Sequence, residues 1–228
     1  MSRTLCLLVF LLSLPMAAFS GTIQGTATYS ADFKPLPPLK TGKYKKACGP
    51  EIQNESLLIE NKNVANVVVQ LKGKGLGGKH GEYKIDQKKC RYEPHVVAMM
   101  KDSELVIHSS DAINHNIHSF SFENDPMNIM FIPGQEDATQ EFEEPEIVKI
   151  ECDLHSWMTA WVVVTENEFF AITDEKGVFQ IANVPPGDYT LSAWHETLGE
   201  MSQKVTVGEG VAEIQFDFPE ITPQVSKK

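Results

Sequence analysis

The strongest constraint on the fold is a series of short runs rich in β-branched and aromatic residues, separated by glycine, proline, asparagine and aspartate. Such runs are typical of β-strands joined by turns, and their spacing is typical of sandwiches and barrels. No segment shows a convincing amphipathic helical period. The sequence therefore predicts an all-β protein. The predicted strands are 22–29, 65–71, 95–100, 104–108, 115–122, 147–152, 160–165, 169–173, 178–181, 189–195, 204–207 and 211–218.

Composition and charge narrow the class of protein. The chain has 228 residues, of which 42% are hydrophobic and 22% charged, which is ordinary for a globular protein. This length allows one or two domains. The 20 basic and 31 acidic residues give a formal charge of −11, and the basic residues form no large cluster. Because such a chain repels a phosphate backbone, we expect no nucleic-acid partner.

Residues 1–20 have the pattern of a signal peptide. Arg3 supplies the positive start, and 5–14 form an apolar stretch that is too short to span a bilayer. Ala18 and Ser20 put small residues at the positions that a signal peptidase requires. We expect cleavage before Gly21 and an exported protein, periplasmic or extracellular. No later run is long enough to form a transmembrane helix.

Export makes the cysteine count informative. Cys6 leaves with the signal peptide, so the mature chain keeps Cys48, Cys90 and Cys152. An odd number of cysteines in an oxidising compartment is explained most simply by one disulfide and one cysteine held in another way. Cys48 and Cys90 are the natural pair, which leaves Cys152 free.

The free cysteine begins a short motif of metal-ligand residues. Cys152, His155 and Met158 follow one another at three-residue steps, and His115 lies on an earlier predicted strand. A thiolate, two imidazoles and a thioether are the ligands of a mononuclear blue-copper site. Each residue alone would more often be structural, the cysteine and the methionine in a core. Their combination after export predicts that His115, Cys152, His155 and Met158 bind one copper ion.

The segment 83–166 resembles the cupredoxins, in particular the amicyanin-like ones, which have the same short Cys-x-x-His-x-x-Met loop. The resemblance implies a Greek-key β-barrel or sandwich and a type 1 copper site. It also implies that Asn116 links the two ligand loops and that His155 reaches the surface as the electron port. Asp153 stands where the family usually has a small hydroxyl residue. We hypothesise that its charge lowers the reduction potential.

The end of the chain resembles a second family. Residues 173–181 and 184–191 are similar to the carboxypeptidase regulatory-like domain, a transthyretin-like β-sandwich whose opening strands match 21–28 and 67–71. Those strands lie far upstream of the rest. We therefore predict a discontinuous sandwich, 21–72 plus 167–220, into which a cupredoxin domain, 83–166, is inserted. A glycine-rich hinge at 73–82 and a tail at 221–228 complete this division; in the alternative, 21–72 belongs to the middle domain.

Several enzyme motifs are incomplete. His195 and Glu196 begin like a zinc-protease helix, but Gly199 stands where the second histidine should be. The sequence therefore predicts an exported one-electron carrier and no catalytic site. Copper buffering or delivery, and a sandwich that binds carbohydrate or another envelope protein, remain as alternatives. The sequence does not define the oligomeric state.

A carrier needs a redox partner, such as a cytochrome or a dehydrogenase. Leu154 and Trp157, beside the ligand loop, could form a small docking patch. The glutamates of the segment 141–146 could steer a basic partner, or they could simply be a solvated strand edge. His118, three positions from His115 on a strand, should face away from the copper ligands and be structural or exposed. The glutamates in question are Glu141, Glu143, Glu144 and Glu146.

Overall fold

The computed structural model describes residues 20–220, which form an almost entirely β structure, as the sequence predicts. One short helix, α1 (Lys45–Cys48), follows a 3₁₀ turn at Gly42–Tyr44. No helix among these described residues is long and apolar enough to cross a membrane. The predicted signal peptide, apart from Ser20, and the predicted C-terminal tail lie outside them. The strands are β1 (Gly21–Tyr29), β2 (Leu39–Lys40), β3 (Glu51–Ile52), β4 (Ile59–Glu60), β5 (Asn63–Val64), β6 (Val68–Lys72), β7 (Glu82–Lys88), β8 (Arg91–Glu93), β9 (Val96–Met100), β10 (Ser103–Ser109), β11 (His115–Phe120), β12 (Asn128–Phe131), β13 (Ala138–Phe142), β14 (Ile147–Glu151), β15 (Thr159–Thr165), β16 (Phe170–Ile172), β17 (Val178–Val184), β18 (Gly187–His195), β19 (Gly199–Val207) and β20 (Gly210–Phe218).

Strands from the two ends of the chain form one pair of sheets, the terminal sandwich. Its first sheet has the order β17-β1-β5-β4, with β20 also paired to β1, and its second has the order β16-β6-β18-β19. β1 runs parallel to β20 along its whole length. This pairing needs Gly25, because a Cβ there would lie 1.8 Å from the carbonyl oxygen of Ile214. The buried core includes Ile23, Leu71, Phe179, Leu191 and Phe216.

The middle of the chain forms a second pair of sheets, the central sandwich. One sheet has the order β13-β10-β7-β8 and the other the order β12-β11-β14-β15-β9. The sequence did not predict β7, β8, β12 or β13. In β7 the fully buried Gln87 interrupts the apolar alternation, and β12 and β13 are edge strands with mostly exposed faces.

The proline- and lysine-rich segment at 32–50 lies outside every predicted strand and is typical of an extended surface loop, but its second half forms regular structure. The segment contains β2, which pairs with β3, and the turn and helix at 42–48. A disulfide joins Cys48 to Cys90, with the two Cα atoms 5.5 Å apart. Because Cys90 follows β7, the bond holds the segment 41–52 against one end of the central sandwich.

A third apolar cluster lies between strands of the two sandwiches. Val68 and Trp194 pack there with Val96 and Val163. At its edge, Glu196 accepts a hydrogen bond from the indole of Trp161 at 2.9 Å and pairs with His95. Apolar packing and a shared carboxylate therefore join the two sandwiches.

His195, at the end of β18, predicts an acid-sensitive stability. Burial lowers the pKa of His195 to about 4, although the neighbouring Glu196 partly opposes this. The unfolded chain therefore binds a proton at this histidine at a higher pH than the folded chain does. The free energy of unfolding keeps its full value above about pH 6.5 and falls by about 3 kcal/mol as the pH drops toward 4. Urea unfolding of the copper-free protein between pH 7 and pH 4 measures this loss, and His195→Gln should show a shallower pH dependence. Parallel pH dependences in the two proteins would contradict the assignment.

Candidate metal centre

Three strand ends bring the four predicted ligands to one end of the central sandwich. His115 is the first residue of β11, Cys152 directly follows β14, and Met158 directly precedes β15. His155 lies in the turn between β14 and β15. All four residues are buried, with at most 2% of any of them exposed.

Backbone hydrogen bonds fix the turn that carries three of the ligands. The N–H of His155 donates to the carbonyl of Cys152 at 3.2 Å, and the N–H of Met158 donates to the carbonyl of His155 at 2.8 Å. The N–H of Cys152 donates back to the carbonyl of Met158 at 3.1 Å. Backbone hydrogen bonds therefore close the loop at its base.

The donor atoms of three ligands converge. The Nδ1 atoms of His115 and His155 are 3.0 Å apart, and the Sγ of Cys152 is 3.6 Å from Nδ1 of His155. The three residues form a group whose ligand atoms all lie within 4.8 Å of one another. Ligand bonds of about 2.0–2.3 Å place neighbouring ligand atoms roughly 3–4 Å apart. The spacing therefore suits one small metal ion.

Asp111 orients one of the two histidines, and sequence reasoning missed it. Its Oδ2 lies 2.9 Å from Nε2 of His115, and its two oxygens also accept the backbone N–H groups of Lys89 and Cys90. In the neutral form of His115, a proton on Nε2 leaves the Nδ1 lone pair free to bind a metal ion next to Cys152 and His155. Carboxylates hold metal-binding histidines in this way.

Asn116 connects the two ligand segments. Its backbone N–H lies 3.5 Å from Sγ of Cys152, and its side-chain Oδ1 accepts the N–H of Asp153 at 2.7 Å. Its Nδ2 donates to a carboxylate oxygen of Asp153 at 2.9 Å. Asp153 also lies 3.0 Å from Nδ1 of His118, so His118 is joined to the edge of the site and stands outside the ligand group.

The pKa shifts favour metal binding at two of the three converging residues. Burial alone would raise the pKa of the Cys152 thiol, but hydrogen bonds from His115 and from the backbone of Asn116 hold it below its ordinary value. Burial, and then the charge of His115, lower the pKa of His155 to about 4. Thiolate and neutral imidazole are the forms that bind metals, and these shifts favour both. At the third residue, His115, burial alone would lower the pKa, but hydrogen bonds to Asp111 and Cys152 outweigh burial and raise the pKa, so a metal ion would have to displace a proton there.

Aromatic side chains cover the site, and here one expectation was wrong. His155 was expected at the surface, but it is 1% exposed. The ring of Tyr44 packs edge-on against it with centroids 4.3 Å apart, and Trp157 lies at 5.0 Å. The cause is the disulfide-bonded segment 41–52, which carries Tyr44 over the ligand loop. No local signal indicates this contact, because it is purely tertiary.

The residues present fit a copper ion. The donor set combines a soft thiolate with two imidazoles and places a buried thioether beside them in the chain, the set that defines blue-copper sites. Nε2 of His155 is buried without a hydrogen-bond partner, so its ring is held by packing, with Nδ1 turned inward. Cys152 is a free thiol and is buried.

The residues predicted for docking lie in different surroundings. Leu154 is 38% exposed beside the ligand loop. Trp157 is half-buried, and its indole donates to the carbonyl of Cys90 at 3.1 Å, so it is part of the aromatic cover. The glutamates at 141–146 lie at the other end of β14, roughly 20 Å from Cys152 at the rise of a β-strand. The structure therefore separates them from the predicted metal ligands.

Two comparisons with known sequences do not establish a family for this chain. A family model for domain II of polysaccharide lyase family 4 matches residues 137–213, which include strands of both sandwiches. No curated protein matches the chain significantly. The matched family differs from the carboxypeptidase regulatory-like domain, so the resemblance to that domain stays a prediction.

Among solved structures, the chain is similar to cupredoxins over part of its length. A purple cupredoxin from Nitrosopumilus maritimus is 20% identical, with a TM-score of 0.32, and the match covers 36% of this chain and 99% of that one. The M98A mutant of amicyanin is 17% identical, with a TM-score of 0.34 and 42% and 98% coverage. A copper-containing nitrite reductase from Thermus scotoductus is 14% identical, with a TM-score of 0.35, and the match covers 38% of this chain but only 23% of that enzyme. These similarities are too low to define a function. The function of this chain is therefore inferred from its own candidate ligand group.

Proposed function

We propose that this protein is an exported carrier of single electrons that binds one copper ion at His115, Cys152, His155 and Met158. The convergence of two imidazole Nδ1 atoms and one free thiol in a buried position carries this proposal. Copper held by such a set supplies a one-electron Cu(I)/Cu(II) couple.

The chain's own residues perform three tasks in this proposal. Asp111 and the closed turn at 152–158 hold the ligands in place, so the site needs little rearrangement when the charge on it changes. Tyr44 and Trp157 exclude water from the ligand group. Asn116 donates a backbone hydrogen bond to the thiolate and links the two segments that carry ligands.

We assign the ligand group to a central unit at 83–166, inserted into a sandwich made from 21–72 and 167–220. The strand pairings support this assignment, since β1 and β6 pair with β17, β18 and β20, whereas β7 to β15 pair among themselves. The segment between β6 and β7, which holds the predicted hinge, contains no strand or helix.

The enclosure of the site favours a carrier over copper delivery or catalysis. A delivery protein must release its ion to a partner, and catalytic metal sites keep a ligand position open for water or substrate. Here Tyr44 covers His155, and a disulfide holds the segment that carries Tyr44. An electron, unlike an ion or a substrate, can cross such a cover.

Copper stoichiometry and voltammetry test the proposed function. We expect one copper per chain and one reversible one-electron wave, with the copper retained in the presence of a strong Cu(I) chelator. His115→Ala should lose the copper, while the matched variant His118→Ala should keep it, because only His115 belongs to the ligand group. Rapid loss of copper to the chelator would support delivery instead.

Asp153 should tune the reduction potential. The hydrogen bonds of Asp153 to His118 and Asn128 hold the pKa of its carboxyl below the usual range, so it is negatively charged at neutral pH. A negative charge near the ligands favours the oxidised ion, so Asp153→Asn should raise the potential by an amount on the order of tens of millivolts. Voltammetry measures this, with Asp188→Asn, at an exposed carboxylate on β18, as the control. An unchanged reduction potential in Asp153→Asn would contradict the hypothesis that the charge of Asp153 lowers it.

A further inference from the structure

The aromatic cover over the metal ligands carries a cluster of positive charge. Lys43, Lys45 and Lys46 flank Tyr44 in the 3₁₀ turn and α1, and all three are exposed. The Nζ of Lys43 lies 5.0 Å from the centre of the Tyr44 ring. We call these four residues, Lys43 to Lys46, the basic cap. None of its lysines forms an ion pair within residues 20–220.

The basic cap is firmly attached. Cys48, at the end of α1, is bonded to Cys90, and the N–H of Tyr44 donates to the carbonyl of Thr41 at 3.0 Å. The side chain of Thr41 donates in turn to the carbonyl of Gly49. The backbone that carries the three lysines is therefore held beside His155, against which Tyr44 packs.

The basic cap is a local concentration of positive charge on an acidic protein. The chain as a whole carries a formal charge of −11, yet the end that holds the ligands presents three unpaired lysines. The exposed glutamates Glu141, Glu143 and Glu144 lie at the opposite end. Three unpaired lysines within four residues attract an anionic partner locally and disfavour a cationic one.

We propose that the basic cap is the docking face for an acidic electron-transfer protein, which makes its closest contact at Tyr44. This inference rests on the proposed function. Protein–protein interfaces often have an aromatic residue at the centre and polar residues at the rim. The half-buried Tyr44 and the exposed lysines around it have this arrangement. Tyr44 is also the side chain that packs against both His155 and Trp157, so a partner on the cap lies next to a ligand residue.

Stopped-flow kinetics with charged oxidants tests the docking face. The Cu(I) protein is oxidised by hexacyanoferrate(III), an anion, and separately by tris(1,10-phenanthroline)cobalt(III), a cation; in each case copper loses one electron and the probe gains it. Lys43→Glu/Lys45→Glu/Lys46→Glu should slow the anionic reaction at low salt by about 10-fold and speed the cationic one. The control Lys74→Glu/Lys176→Glu/Lys204→Glu changes the net charge equally at exposed positions outside the cap, and it should have a much smaller effect. Equal effects of the two triple variants would overturn the proposal.

A nuclear magnetic resonance experiment on the copper-free protein tests the docking face independently of copper. Hexacyanochromate(III), a paramagnetic anion, broadens the amide signals of the residues near which it binds. In the copper-free protein we expect broadening at 43–46 that is lost in the cap variant and kept in the control. Broadening centred elsewhere would overturn the docking face even if the copper couple is normal. Broadening at the cap in a protein without a reversible couple would leave the docking face standing and reject the proposed function.

Discussion

Replacing both Cys48 and Cys90 with alanine is expected to lower the free energy of unfolding by about 4 kcal/mol, from the chain entropy that a bond across this loop removes. The two cysteines are 42 positions apart, and both are buried. For a protein of this size, such a loss lowers the melting temperature by roughly 10 °C. Urea unfolding of the copper-free protein under oxidising conditions measures the change.

The variant Cys48→Ala/Cys90→Ala should also make the candidate metal site more accessible to solvent. The disulfide holds the segment that carries Tyr44, and Cys152 is then the only cysteine left in residues 20–220. Its alkylation by iodoacetamide in the copper-free protein should become several-fold faster, because loss of the restraint lowers the cost of local opening. Cys152 of wild-type protein reduced with a phosphine, followed by mass spectrometry of its own peptide because Cys48 and Cys90 are then also free, should behave alike, which separates loss of the bond from side-chain changes. Unchanged stability and unchanged alkylation would contradict the role we give to the disulfide.

Asp111→Asn is expected to weaken copper binding by about 10–100-fold, the usual cost of removing a partner that orients a ligand histidine. Asparagine keeps one acceptor oxygen for the backbone N–H groups of Lys89 and Cys90 but loses the charge that pairs with Nε2 of His115. Competition titration against a chelator of known copper affinity at pH 7 measures the change.

Asp137→Asn is the matched control for Asp111. Asp137 pairs with His108, which is not among the predicted ligands, so its replacement removes a carboxylate–histidine pair of the same kind and should leave the copper affinity unchanged. Equal losses in the two variants, or no loss in Asp111→Asn, would show that Asp111 does not orient the site.

The candidate ligand group could be predicted from the sequence because its chemistry is local. Three of the four lie within seven residues of chain, and a thiol, an imidazole and a thioether are donor types of a blue-copper site. The fourth, His115, could be placed because it begins a strand. A fold made of many short strands likewise follows from turn residues that recur between apolar runs.

The parts that could not be predicted depend on contacts between distant segments. Tyr44 covers His155 across more than a hundred positions, and its own surroundings read as a polar loop. Asp111 lies four positions before His115, a common spacing that carries no signal until the turn brings the two side chains together. The glutamates at 141–146 allowed two interpretations, a steering surface or a solvated strand edge, and the sequence alone did not show that β14 separates them from the predicted ligands.

The visible absorption spectrum of the mature chain loaded with Cu(II), recorded beside that of Cys152→Ser, tests the central claim most directly. A buried thiolate bound to copper gives an intense charge-transfer band. We expect that band in the wild-type protein and its complete loss in Cys152→Ser, with the fold intact by circular dichroism. A colourless wild-type protein, or a colour that does not depend on Cys152, would contradict the proposed copper site.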